Sequence, residues 1–298
     1  MAPSLKPLLA LPAGAFGLGV GLAGYLTYAG QVGAQDLMFP RQAELKQDPS
    51  AYGVPFEPVR FKSHDGLSLA GWYVPAAVKT DKAVLVLHGH GSNKDWGFKK
   101  YGHFLRERYN VFVYDQRSHG ASEGEFVTLG FFERQDAQLA LGELKKRGNT
   151  RLGVLGESMG GAVAINMAAV TPEVKAVVTD CAFDSLHDAI APRAAARHYP
   201  FSPLVAESVI ATAGLRSGAD LDDADPVKWV SKIAPRPFFL IHSLEDRDTV
   251  PLNGEKLYAA AAEPKQAWWP KDAKHCTAYK VYPEEYRQRV LGFFEASL

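Results

Sequence analysis

From about residue 56 onward the chain alternates short apolar runs with longer stretches of helical periodicity. Residues 59–63 and 67–74 each alternate apolar and polar positions on either side of His64, Asp65 and Gly66. Two period-two runs about an Asp-Gly turn predict a β-hairpin. Residues 83–87, 111–114, 152–155, 174–178 and 238–241 are instead continuously apolar. Such runs suit strands covered on both faces, as in a parallel sheet. Helical patterns lie between them, over residues 98–108, 131–147, 159–169 and 252–262. A last one, over 283–296, sets Tyr286, Val290, Phe293 and Phe294 on one face. Strands alternating with helices predict an α/β fold, a mostly parallel central sheet with helices on both faces. Residues 185–231 break this rhythm with helical stretches and no strand, and are read as a small helical cap inserted late in the sheet.

The N-terminal pattern is different. After Lys6 no charged residue occurs until Asp36, and residues 8–29 are dominated by Leu, Ala, Gly, Val, Phe and Tyr. That exceeds the ~20 apolar residues needed to cross a bilayer. Residues 1–35 are therefore expected to form a single-pass membrane anchor or signal segment, with residues 54–298 as the α/β domain. Cleavage near Val32, Gly33 and Ala34, giving a secreted or periplasmic protein, is one alternative. A buried soluble helix is another, against which Gly14, Gly17, Gly19, Gly21 and Gly24 speak, because glycine weakens helices in water.

Composition removes some classes. Lys plus Arg and Asp plus Glu both number 33, so the net charge is +0, and no basic stripe suggests nucleic acid as a partner. Cys181 and Cys276 are too few for a disulfide framework; they read as small semi-buried side chains, with a disulfide open in an oxidising compartment. No His-Glu-x-x-His or comparable ligand spacing implies a metal, and the glycine-rich stretches lack nucleotide-binding patterns, so no cofactor is expected.

The chemistry concentrates at Gly156-Glu157-Ser158-Met159-Gly160. A G-x-S-x-G between a buried strand and an Ala-rich helix is a nucleophile elbow, a turn so tight that glycines must flank the serine. A serine hydroxyl needs a base to take its proton. Of the 9 histidines, His275 alone follows the last strand-like run, residues 266–270, and precedes the C-terminal helix. An acid must hold that imidazole in one tautomer. Asp246, in the loop after residue 241, is the first choice, with Asp248 and then Glu245 as alternatives. Backbone amides are expected to stabilise an oxyanion, those of Met159 and of His90 in His88-Gly89-His90-Gly91.

On these residues the chain, from about residue 54, resembles the α/β-hydrolase superfamily, nearest its serine-aminopeptidase-like branch of membrane-anchored hydrolases. Asp115-Gln116-Arg117-Ser118-His119-Gly120 and Asp180-Cys181-Ala182-Phe183 match as well. The resemblance implies a structural role for the first of these loops and an N-terminal anchor. Two positions depart from the pattern: Ser243 stands where glycine commonly follows His242, and Val250-Pro251 lies one residue further on than is typical. That spacing keeps Asp248 open as the acid. The expected activity is hydrolysis of a carboxylic ester or related acyl bond, of a small molecule or lipid, through an acyl-enzyme on Ser158. The alternatives are a serine peptidase and a catalytically silent, membrane-tethered scaffold that binds a partner.

Overall fold

The computed structural model describes residues 13–298, with side chains from residue 19 onward. After α1 (Ala13–Met38), the expected hairpin forms, with β1 (Glu57–Lys62) antiparallel to β2 (Ser68–Val74). Then come β3 (Lys82–Leu87), the short helices α2 (Lys94–Gly97) and α3 (His103–Leu105), β4 (Asn110–Tyr114) and α4 (Phe131–Lys146). They are followed by β5 (Arg151–Glu157), α5 (Met159–Ala169) and β6 (Val174–Asp180). The cap helices α6 (Leu186–Ala196) and α7 (Ser202–Ser217) come next. The chain closes with β7 (Phe238–Ile241), α8 (Pro251–Ala260), β8 (Lys265–Trp268), α9 (Ala278–Val281) and α10 (Pro283–Ser297).

The eight strands make one sheet in the order β1-β2-β4-β3-β5-β6-β7-β8. The first two pairings along this order, β1 with β2 and β2 with β4, are antiparallel, and every other is parallel. The wholly apolar runs are buried on both faces. Leu85, Val154 and Val177 pack with Leu144 of α4, Met167 of α5 and Leu257 of α8. Their neighbours Val84, Val86 and Val178 pack against Phe98, Tyr101 and, from α10, Tyr286 and Phe294. Because β3, β5, β6 and β7 run the same way, the loops that follow them open at one edge of the sheet, and the site lies there.

The expectation of a spanning N-terminal helix finds no support in the structure. Among the described residues, no helix is long and apolar enough to cross a membrane; residues 8–12 of the expected span lie outside them. The helix also runs past Asp36 to Met38, because its last turns have a protein surface to cover. Ala29, Ala34 and Met38 are buried, and α1 lies along α7. The approach is close enough that a Cβ on Gly30 would stand 2.4 Å from Ser208 Oγ, and one on Gly33 would stand 2.3 Å from Val209 Cγ2. The residues read as a cleavage site thus sit in the middle of a packed helix. Overpacking a tight contact typically costs about 1–3 kcal/mol. Gly33→Val should therefore lower stability by about that amount in urea titration, and unchanged stability would mean that α1 does not seat on α7.

Candidate active site

The turn from β5 into α5 carries Ser158 with φ 51° and ψ −119°. A non-glycine residue there is strained, at a cost on the order of 1–3 kcal/mol. The surrounding packing imposes it. A Cβ on Gly156 would lie 2.1 Å from the Gly160 carbonyl oxygen, and one on Gly160 would lie 2.2 Å from that of Leu87. Ser158 N–H donates to Asp180 O of the adjacent strand at 2.8 Å, which fixes the turn to the sheet.

Beneath the serine is a buried polar network that the sequence did not announce. Glu157 accepts from Lys100 Nζ at 2.6 Å, from Tyr101 Oη at 2.8 Å and from Gly89 N–H at 3.3 Å. Burial raises its carboxyl pKa, but Lys100 and these donors outweigh burial and hold it below the ordinary glutamate range. Asp180, the register partner of Glu157, accepts from Tyr286 Oη at 3.0 Å. Burial, with Cys181 and Glu157 adding to it, holds Asp180 well above the usual carboxylate range. The two acids sit side by side with their pKa values pushed in opposite directions, and both brace strand ends.

His275 comes from the loop after β8, and the structure brings it to Ser158. Its Nε2 lies 3.0 Å from Ser158 Oγ, and its Nδ1 lies 2.7 Å from Asp246 Oδ2. Asp246 is buried at a turn, where its other oxygen accepts from the N–H groups of Asp248 at 2.8 Å and Thr249 at 3.0 Å. The Asp248 side chain is 60% exposed and turns toward Arg193, and Glu245 is exposed. Asp246 is thus the acid hydrogen-bonded to His275; an Asp248 oxygen comes within 4.8 Å of a ring nitrogen without a hydrogen bond. Thr249, which sequence reasoning missed, sets its Oγ1 3.1 Å from His275 Nδ1 and donates to Cys181 O at 3.0 Å. The two free cysteines lie behind the histidine, with Cys276 N–H pointing at Cys181 Sγ at 3.4 Å.

The His88–Gly91 loop lies against the elbow, since a Cβ on Gly89 would stand 3.4 Å from Ser158 Cβ. The amides of Met159 and His90 have no partner among the described residues. The His90 ring is tied to α1, its Nε2 donating to Leu37 O at 2.8 Å. His88 braces the loop from within, accepting Gln116 N–H at Nε2 at 3.0 Å. His119, pulled down to about 3 by burial, accepts Gly91 N–H at 2.9 Å. Asp115 pairs with buried Lys94, and Arg117 with Asp136 at 2.6 Å, so this loop is structural. A cavity of about 530 Å³ opens over Ser158, lined by Val32 and Leu37 of α1, Leu129, Phe183, Ile190 and Val209 among others.

Burial alone would lower the pKa of His275; Asp246 and then Cys181 outweigh it and hold it up at about 10. The pairing therefore adds stability that is complete below the ordinary histidine value of about 6.5 and is lost as pH rises through the folded value. By NMR, the His275 imidazole should titrate above the ordinary value. Asp246→Asn should bring the midpoint down and Asp248→Asn should leave it in place; the reverse would make Asp248 the partner.

Fold and site together define an α/β-hydrolase. The chain belongs to the serine aminopeptidase S33 family, whose model matches residues 78–232. It is 28% identical to the protein YqkD of Bacillus subtilis over 256 residues, 83% of this chain and 77% of that one. It is 27% identical to YfhR of Escherichia coli K12 over 256 residues, 81% of each chain. Among solved structures it is similar to the esterase Pf2001 of Pyrococcus furiosus, with a TM-score of 0.73 and 25% identity, covering 88% of this chain and 98% of that one.

Proposed function

We propose that this hydrolase cleaves carboxylic esters through an acyl-enzyme formed on Ser158. The observation that carries the reading is the continuous chain from Asp246 through His275 to Ser158, at 2.7 and 3.0 Å. In this mechanism the neutral form of His275, whose fraction grows as pH rises toward the folded value, takes the Ser158 proton at Nε2 as Oγ attacks the ester carbonyl carbon. Asp246 holds the ring by Nδ1–H and stabilises the imidazolium that forms. The carbonyl oxygen, now an anion, faces the unpartnered amides of Met159 and His90, and the N-terminus of α5 adds a favourable dipole. Collapse expels the alcohol, which leaves with the proton from His275. Water then attacks the acyl group, giving its proton to His275, and the second collapse releases the acid as Ser158 Oγ takes that proton back. The strained turn keeps Oγ clear of the helix and aimed at the cavity.

Ester rather than peptide cleavage is supported by the apolar lining of the cavity and by arginines at its mouth, Arg193, Arg197 and Arg247, which disfavour a free α-ammonium. The esterase from Pyrococcus furiosus points the same way.

The test is hydrolysis of p-nitrophenyl esters of increasing chain length by the full-length protein, beside an aminoacyl p-nitroanilide. The kcat/KM should rise by up to about fourfold per added CH2 until the cavity is full, since each buried CH2 is worth about 0.8 kcal/mol. Ser158→Ala should lower kcat by about 10⁴-fold or more, and Asp246→Asn by about 10⁴-fold. Ester turnover that survives in folded Ser158→Ala would refute the mechanism; faster cleavage of the anilide would make the protein a peptidase.

A further inference from the structure

The charges at the cavity mouth take no part in the chemistry above. Arg193 and Arg197 stand four residues apart at the C-terminal end of α6, and Arg247 follows Asp246 in the loop after β7; all three line the cavity over Ser158. Two acids share that lining, Asp36 of α1 and Asp248. They leave most of the guanidinium donors free. Arg193 gives only Nε–H to the Asp248 backbone carbonyl, at 3.0 Å, and stands 3.9 Å from its carboxylate. Arg197 meets Asp36 at 3.5 Å, where the side chains are 67% and 65% exposed and water screens the pair. Arg247 makes no hydrogen bond or ion pair among the described residues, and it also borders a second opening beside His275.

Each guanidinium presents five N–H donors in a planar fork that matches the oxygens of a carboxylate or phosphate. Further in, the same cavity is apolar, with Val32, Leu129, Phe183, Ile190 and Val209. A largely apolar lining that also carries three arginines against two acids is complementary to a molecule with an apolar tail and an anionic head. A neutral ester would leave the free arginine donors to water, and a cationic one would be repelled.

We propose that the cavity selects an anionic amphiphile: an ester whose apolar part fills the space between α1 and the cap and whose carboxylate or phosphate rests on Arg193, Arg197 and Arg247. The ester part of this statement rests on the reading of Ser158 as nucleophile; the anion site does not. Arg193 and Arg247 are specificity residues, and they act on which substrate is held rather than on the bond-breaking step.

The test is calorimetric titration of the full-length protein with octyl phosphate, nonanoate and octyl glucoside, each below its micelle concentration, at low ionic strength. At least one anion should bind about tenfold more tightly than the glucoside, as charge-assisted contacts to a partly wet site allow. The tighter of the two anions identifies the head group. Added salt should shrink the preference, and Arg193→Ala with Arg247→Ala, checked for folding by circular dichroism, should remove most of it. Equal binding of the glucoside, or a preference that persists when Arg197→Ala is added to both, would overturn the proposal. Failures are separable by the ester assay. Anion binding without ester turnover leaves the anion site standing and refutes the Ser158 reading. Ser158-dependent turnover without anion preference refutes this proposal alone.

Discussion

The tightest constraint in the molecule is the backbone contact between the elbow and the strand beside it. Gly156 faces the Gly160 carbonyl, and Gly160 faces the carbonyls of Leu87 and His88, with no room at either for one carbon atom. Because β5 and α5 meet this closely, Ser158 has a single conformation open to it, the left-handed one. The same closeness sets the end of β3 beside the serine, so the His88–Gly91 loop arrives with its amides next to the place where Oγ points. Removing the contact would release the serine and the oxyanion loop together.

A second layer holds the strand ends that carry the site. Glu157 and Asp180 are register partners, and Lys100, Tyr101 and Tyr286 reach them from the helices on one face of the sheet. Two buried carboxyls so close cannot both ionise cheaply; Lys100 favours the charged form of Glu157, and burial beside Glu157 disfavours that of Asp180. Buried hydrogen bonds of this kind favour one arrangement, although Asp180 Oδ1 itself has no partner among the described residues. They tie α10 and the Phe98–Gly102 turn to the floor beneath Ser158, far from either in sequence.

Much of this was legible in the chain. The continuous apolar runs marked the parallel strands because a strand covered on both faces has no polar side to show. The glycines of the elbow marked the serine, and the lone histidine beyond the last strand marked the base. The choice between Asp246 and Asp248 was not legible, since both sit in one short loop. It is decided by a turn in which Asp246 accepts the two following amides and is drawn inward, while Asp248 is left outside. The polar network was hidden for a related reason: its members are spread from residue 100 to 286 and only the topology collects them.

The N-terminal helix was only partly legible, for a more general reason. Hydropathy records that residues 8–29 avoid water, not what they meet instead. Over its last turns the partner is α7, at Ser208 and Val209, and Gly30 and Gly33 are places of close approach, whereas a Cβ on Gly19, Gly21 or Gly24 would meet nothing within 4 Å among the described residues. The helix also reaches the chemistry, because Leu37 O holds the His90 ring while Val32 and Leu37 line the cavity. The acyl pocket of the proposed enzyme is therefore built from both ends of the sequence. The end of the apolar N-terminal stretch thus lines the cavity that holds Ser158.

The central claim is that Ser158 is activated by the Asp246–His275 pair. Mass spectrometry of the folded protein after reaction with a fluorophosphonate tests it most directly, since phosphorus is captured by an activated serine oxygen as fluoride leaves. The account predicts one adduct, on the peptide carrying Ser158, absent from Ser158→Ala and strongly slowed in His275→Ala. A folded protein that stays unlabelled at Ser158, or labels there as fast without His275, would contradict it.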